Sequence, residues 1–415
     1  MTQSARGNGR YANSFFYLCV DEKVELDDSN NIKLTGTLAH EYCHFLQDIT
    51  TTVGLMGIIE DAYILRYLIH TLNWDKNKSY IIVPPYDLQL IKHQVFMSEF
   101  SGDLIKPENN IEVVDYRVFK SNFHSFYDMC KLELSNGKTT NLGSFILFES
   151  MAKSLELSLF PTDNIQFDYP YMICRKLIKK IHKDFNLTYE NVLALCDASL
   201  MHPNPGIIFI KSLEAMQNQG IILDSMREIY EFIEEEKSLQ QFFSPFGKGC
   251  NLHYTNAYCA IMNFYKHTGF GKKWALRRLE KASSLRISCP RFWISILSKT
   301  SSEDKISAFN DIMQQVGYPI VYDKSNKVYD QSLICEEEIF NYNTFAALNS
   351  IYNILACGET GCLLYRYCSS NNSKNIVSQH CLCEPWKQVN NDNMCPFAIV
   401  WKKLALPTNV YRVFR

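Results

Sequence analysis

Hydrophobic and polar positions follow two different periods along this chain, and the change falls near Gly143. Beyond it, apolar residues recur every three or four positions almost to the C-terminus, as amphipathic helices require. The pattern predicts helices over 144–159, 171–183, 188–201, 206–218, 223–237, 253–267, 272–285, 301–316 and 339–356. Before Gly143 the pattern is mixed. Phe15–Val20 reads as a strand, Tyr80–Val83 as a short strand stopped by Pro84 and Pro85, and Ile111–Val118 alternates as a strand does. Cys130–Leu134 and Thr139–Leu142 predict a hairpin, with Asn136 and Gly137 suited to a type I′ turn. Two helices belong to this half: one from about Thr35, and one over Leu55–Leu72, with Gly54 as the break. Residues 1–13 read as a disordered arm. The fold class is α+β and predominantly helical.

Thr37–Ile49 differs in pattern from every other helix. Leu38, Tyr42, Phe45 and Ile49 form a buried stripe, which Ala39, Cys43 and Leu46 widen. The polar residues Thr37, His40, Glu41, His44, Gln47 and Asp48 share one arc of about 120°, without a Lys or Arg. A solvated face would carry both. A largely buried helix therefore turns a narrow polar strip toward a cleft. A helix advances about 100° per residue, so His40 and His44 leave one face a turn apart and suit one tetrahedral Zn²⁺. Glu41 stands beside them, angled to water at the metal rather than to the metal itself. The bland alternative is two satisfied histidines on an amphipathic helix.

His40-Glu41-x-x-His44 resembles the zincin metallopeptidases over this one helix, about 15 of 415 residues. The resemblance implies a zincin-like catalytic domain with a small sheet whose edge strand aligns a peptide. It also implies Zn²⁺ held by both histidines and a third protein ligand, with Glu41 as general base. No third His follows in Ile49–Gly54, as the metzincin pattern would need, so the implied site is gluzincin-like, with a glutamate from another helix.

Two glutamates compete for that place. Glu149 has Phe145, Ile146 and Ala152 on its face, and Ser150 and Ala152 are small enough for close helix approach. Its alternative role is an ion pair with Lys153, with Glu156 a turn further on. Glu60 follows His44 by 16 residues, slightly less than in thermolysin-like gluzincins, and needs a partner if buried. Asp61 is a weaker candidate. The aspartate those enzymes carry four residues after the glutamate is Lys153 or Ile64 here. Asp197, in an apolar run, either orients a ligand histidine or pairs structurally. His202, in Met201–Gly206, stabilises an oxyanion or is an ordinary loop histidine.

Six of the 15 cysteines fall between 357 and 395: Cys357, Cys362, Cys368, Cys381, Cys383 and Cys395, with His380 among them. Their spacing lacks the paired CxxC of zinc ribbons, so a structural metal and a set of buried thiols both stay open. An odd cysteine count, and ten N-terminal residues without an apolar core, lead to an expectation of reduced thiols in a cytoplasmic protein. Net charge is −2, which gives no broad case for nucleic acid, and no run is long enough for a membrane span.

The expected organisation is an arm over 1–13, a zincin-like metallopeptidase domain over 14–243, a helical accessory or substrate-recognition region over 244–356, and a Cys-rich cap over 357–415. The expected function is intracellular Zn²⁺-dependent hydrolysis of peptide bonds in a narrow range of protein or peptide substrates. The C-terminal half would recognise substrate or hold a regulatory partner. The alternatives are an inactive zincin-shaped scaffold with structural zinc and a metal-dependent hydrolase of non-peptide substrates.

Overall fold

The computed structural model describes residues 9–12, 14–26, 32–74, 80–82, 107–120, 128–162, 167–236, 239, 248–265, 272–325, 328–329, 342–356, 359–370, 377–391, 393–408 and 411–413. Strands β1 (Gly9–Ala12) and β2 (Tyr17–Val20) lead to helices α1 (Gly36–Thr50) and α2 (Thr52–Trp74). Then come β3 (Tyr80–Ile82), β4 (Val113–Lys120), β5 (Asp128–Leu134) and β6 (Thr139–Asn141). A helical run follows: α3 (Ser144–Leu159), α4 (Ile173–Ile181), α5 (Tyr189–Leu200), α6 (Pro205–Gln219), α7 (Met226–Glu235), α8 (Lys248–Tyr265), α9 (Lys272–Ser288), α10 (Phe292–Leu297) and α11 (Ser302–Val316). The chain ends with β7 (Ile320–Tyr322), β8 (Val328–Tyr329), α12 (Tyr342–Ala356), α13 (Tyr365–Ser370), α14 (His380–Cys383), a 3₁₀ turn over Pro385–Asn390, α15 (Pro396–Lys403) and β9 (Tyr411–Val413). The molecule is predominantly helical with small sheets. Among the described residues no helix is long and apolar enough to cross a membrane.

Helix α1 lies at the centre. Thr35, extended in backbone, caps it by accepting from Leu38 N at 3.2 Å. It packs on α2, α3, α9, β1 and β2, which leaves its residues from Leu38 to Thr50 buried except His44. The break to α2 falls at Thr51 rather than Gly54. Thr51 Oγ1 donates to Gln47 O at 2.7 Å and accepts from Gly54 N at 3.0 Å, so the helices meet at a bonded corner.

The sheet beside α1 has the order β1-β2-β7-β8. β1 and β2 are antiparallel, and β2 runs parallel to β7 with Tyr17 opposite Ile320. Its edge on the α1 side is β1, so the last residues of the expected arm are a strand. The predicted hairpin is β5-β6, and with β4 it forms a separate antiparallel meander packed toward α4 and α6. Its loop holds three residues, not two. Gly137 N donates to Leu134 O at 2.9 Å, and only Gly137 in that loop has positive φ, at 77°. That is a type I turn closed by a left-handed glycine, because Asn136 uses its side chain to accept from Lys138 N at 3.0 Å.

One apolar core runs from Tyr11 through α1, α3 and α9 to Trp401 and Leu406. Helix α12 packs on α15 of the C-terminal segment. The boundary expected at 243/244 lies outside the described residues.

Candidate metal centre

His40 and His44 stand on consecutive turns of α1, their rings 4.9 Å apart at 81° and their Nε2 atoms 3.2 Å apart. Helix α3 crosses α1 and presents Glu149, whose Oε2 is 3.3 Å from His40 Nε2 and 3.6 Å from His44 Nε2. Donors bound at 2.0–2.1 Å to a tetrahedral ion stand about 3.3–3.4 Å from one another. The three edges here match one face of such a tetrahedron.

Neighbouring groups decide which ring nitrogens carry protons. Gln47 Nε2 donates to Phe148 O at 3.0 Å, which turns Gln47 Oε1 to His44 Nδ1 at 2.8 Å. An amide oxygen only accepts, so His44 Nδ1 is the protonated nitrogen. Glu156 Oε2 lies 3.2 Å from His40 Nδ1, an ion-pair contact out of line for an ideal hydrogen bond, and it favours a proton there as well. Neutral rings in those tautomers turn both Nε2 lone pairs toward each other and toward a carboxylate. Three acceptors facing inward in a buried place require a cation among them, a further proton or a metal ion. Burial opposes charge on His40, yet Glu149 and Glu156 prevail and push its pKa up to about 10. Burial also opposes charge on Glu149, and His44 and His40 hold it at about 2. The pocket is built for positive charge, and its donor set of two imidazoles and a carboxylate fits Zn²⁺.

Glu41 is buried against β1. Its carboxylate accepts from the Tyr11 backbone N–H, and among the described residues its Oε2 has no hydrogen-bond partner. Burial lifts its pKa and Glu149 adds to this, while His40 and His44 pull it down. Gly9 of β1 sits so close that a Cβ there would come 2.6 Å from Glu41 Cγ. The Tyr171 ring stands 5.7 Å from His40, edge to face. Burial first, then Glu149, Glu41 and Glu156, raises the Tyr171 hydroxyl pKa so that it keeps its proton.

The structure thus gathers His40, His44, Glu149 and Glu41. Among the described residues the trio His40, His44 and Glu149 is the one set of donors within 4.8 Å that could hold a metal. Glu60 and Asp61 are elsewhere: Asp61 accepts from Ser14 Oγ at 2.7 Å and Tyr352 Oη at 2.6 Å, and burial raises Glu60 to about 8. Asp197 orients no ligand histidine. It pairs with Arg286 at 2.5 Å and accepts from Tyr230 Oη at 2.8 Å. His202 closes the turn before α6, its Nδ1 accepting from Asn204 N at 2.9 Å. Lys153 pairs with Glu156 at 2.7 Å rather than with Glu149. Sequence reasoning missed Glu156 and Tyr171. The signal for Glu156 was its place two turns beyond Glu149 on one helix face; Tyr171 had none among 24 tyrosines.

No protein-family model, curated protein or solved structure matches this chain.

Proposed function

We propose that this chain is a zinc-dependent metallopeptidase with a gluzincin-like site, in which His40, His44 and Glu149 hold the metal and Glu41 is the general base. One observation carries the reading: three lone-pair donors from two crossing helices meet at tetrahedral spacing. Structural zinc sites use four protein ligands, whereas catalytic sites use three and keep one position for water or substrate. Three converge here.

When bound, Zn²⁺ polarises a carbonyl oxygen and acidifies water at that fourth position. The chain's own residues do the rest. Glu41 Oε2, buried and unpartnered, takes a proton and returns it to the leaving amine. Tyr171 keeps its hydroxyl proton beside three carboxylates and donates a hydrogen bond to the oxygen that gains charge. Gln47 and Glu156 hold the two imidazoles in the tautomers that leave Nε2 free. An HExxH helix, a sheet whose antiparallel edge lies on it, and a third ligand from a later helix make up the zincin-like domain of this reading. Its substrates are proteins or peptides of narrow range, in the cytoplasm, selected by the helices beyond α7.

A second reading, a scaffold with structural zinc, is favoured by the cover that β1 lays over Glu41. Zinc content and cleavage of a quenched-fluorescent peptide library separate the two. Glu41→Gln is expected to keep zinc and lose cleavage by about 10²–10⁴-fold, and His44→Ala to lose both. Full cleavage by Glu41→Gln would sink the mechanism. Zinc without any cleavage in the wild type would leave the scaffold.

A further inference from the structure

The cysteines of the C-terminal segment sort themselves on folding. Cys357 lies outside the described residues. Cys383 is exposed, and its thiol donates to Gln379 O at 3.5 Å. Cys362, Cys368, Cys381 and Cys395 line one small cavity, closed by Leu364, Tyr365, Pro396 and Phe397. They come from the turn before α13, α13 itself, α14 and the N-cap of α15. All four are free thiols.

We propose that Cys362, Cys368, Cys381 and Cys395 bind a structural Zn²⁺ as a tetrathiolate, a second metal centre independent of the one at His40. Four sulfurs are a complete ligand set for a closed structural site, in contrast to the three ligands on α1 and α3.

The hydrogen bonds around the sulfurs suit thiolates. Gln388 Nε2 donates to Cys381 Sγ at 3.0 Å, and Ala398 N to Cys395 Sγ at 3.4 Å. The Phe397 amide also reaches Cys395, and the Leu364 amide reaches Cys362. A neutral thiol is a weak acceptor, so several N–H groups aimed at sulfur serve a negative charge. Cys395 caps α15, which adds the positive end of that helix. Four thiolates share such a buried place only around a cation, and loading it releases their protons to solvent.

The segment carries little regular structure of its own and packs on the main core through Trp386, Phe397 and Trp401. Helices of six, four and eight residues and one 3₁₀ turn are each too short to persist alone. A metal tying four points of chain supplies what so little regular structure cannot. No three of these sulfurs lie within 4.8 Å of one another, as the donors at His40 do. Closing on one ion would draw α13, α14 and the cap of α15 together.

The test is metal counting on the full chain with His40→Ala and His44→Ala combined. One zinc per chain is expected to remain and to be released by about four equivalents of an organomercurial. Cobalt-loaded wild type is expected to show intense visible bands and the sulfur-to-cobalt charge transfer of a tetrahedral thiolate, a readout that needs no variant to fold. Cys381→Ser is expected to weaken both signals. Cobalt-loaded wild type without thiolate bands, a folded double variant without zinc, disulfides among these four cysteines, or iron with acid-labile sulfide would each overturn the proposal.

Discussion

Glu156 Oε2 stands 3.2 Å from His40 Nδ1, while its other oxygen takes a 2.7 Å ion pair from Lys153. One carboxylate therefore sets the ring of His40, a proposed metal ligand, and is itself set by a lysine one turn earlier on α3. An acceptor behind a ligand histidine fixes its tautomer and makes the metal-facing nitrogen more basic. Glu156→Ala is expected to weaken zinc binding by about 10–100-fold with the fold retained, and Glu156→Gln to recover part of the loss. Competition with a chromophoric chelator measures it. Unchanged affinity in Glu156→Ala would remove Glu156 from the site.

Gly9 governs where Glu41 can be. A Cβ at Gly9 would lie 2.6 Å from Glu41 Cγ and 2.7 Å from Glu41 Oε1. The atoms it meets belong to a buried side chain and not to backbone, so Glu41 must shift. Gly9→Ala is expected to cost about 1–3 kcal/mol, as overpacking does, and to leave zinc content unchanged. Displacing the base by a fraction of an ångström is expected to lower peptide cleavage on the order of 10–100-fold. A variant with wild-type cleavage would show that Glu41 works elsewhere than in its place under β1.

Helix α1 and its polar strip are legible in the sequence because His40, His44 and the buried stripe share one period within 13 residues. Glu149 is legible for a similar reason: an apolar face interrupted by one acid. Glu156 is harder to read, since the gluzincin pattern points to the position of Lys153, and the orienting carboxylate sits three residues further on. Of the sheet beside α1, the β2 strand leaves a local trace, in the pattern of Phe15–Val20, and its partners do not. Gly9–Ala12 is too short to alternate, and β2 finds its parallel partner β7 about three hundred residues away. The four C-terminal thiols come to line one cavity through tertiary packing, so their sequence spacing carries little sign of it.

Asp197 and Arg286 form a pair that is almost wholly buried, at 0% and 3% side-chain exposure. Arg286 also donates to Thr50 O at 2.9 Å and to Pro290 O at 2.8 Å, so the pair joins α5 and α9 to the end of α1. Removing one partner strands the other charge out of water. Arg286→Ala and Asp197→Ala are each expected to cost about 3–5 kcal/mol, read as a lowered urea midpoint. The protein that stays folded is expected to keep its zinc, because neither residue touches His40 or His44. Loss of zinc from Asp197→Ala at an unchanged midpoint would return Asp197 to the metal centre.

His202 makes stability fall in acid. Burial lowers its pKa from 6.5 to about 4, and protonating Nδ1 would break its bond to Asn204 N. The folded form thus binds fewer protons than the unfolded chain between pH 4 and 6.5. The contribution is complete above 6.5 and is lost as pH falls through that window, on the order of 1–3 kcal/mol by pH 4. Asp48, pushed up to about 7 by burial, and Glu60, up to about 8, act with opposite sign. Their folded pKa values exceed the unfolded ones, so they stabilise in acid and that contribution fades as pH rises through about 7 and 8. The raw pH profile mixes the two effects, and the difference between wild type and His202→Gln isolates one. Urea midpoints at pH 7.5 and 4.5 are expected to separate further for wild type than for the variant. Equal separation would mean that His202 titrates in the folded protein as it does in the unfolded chain.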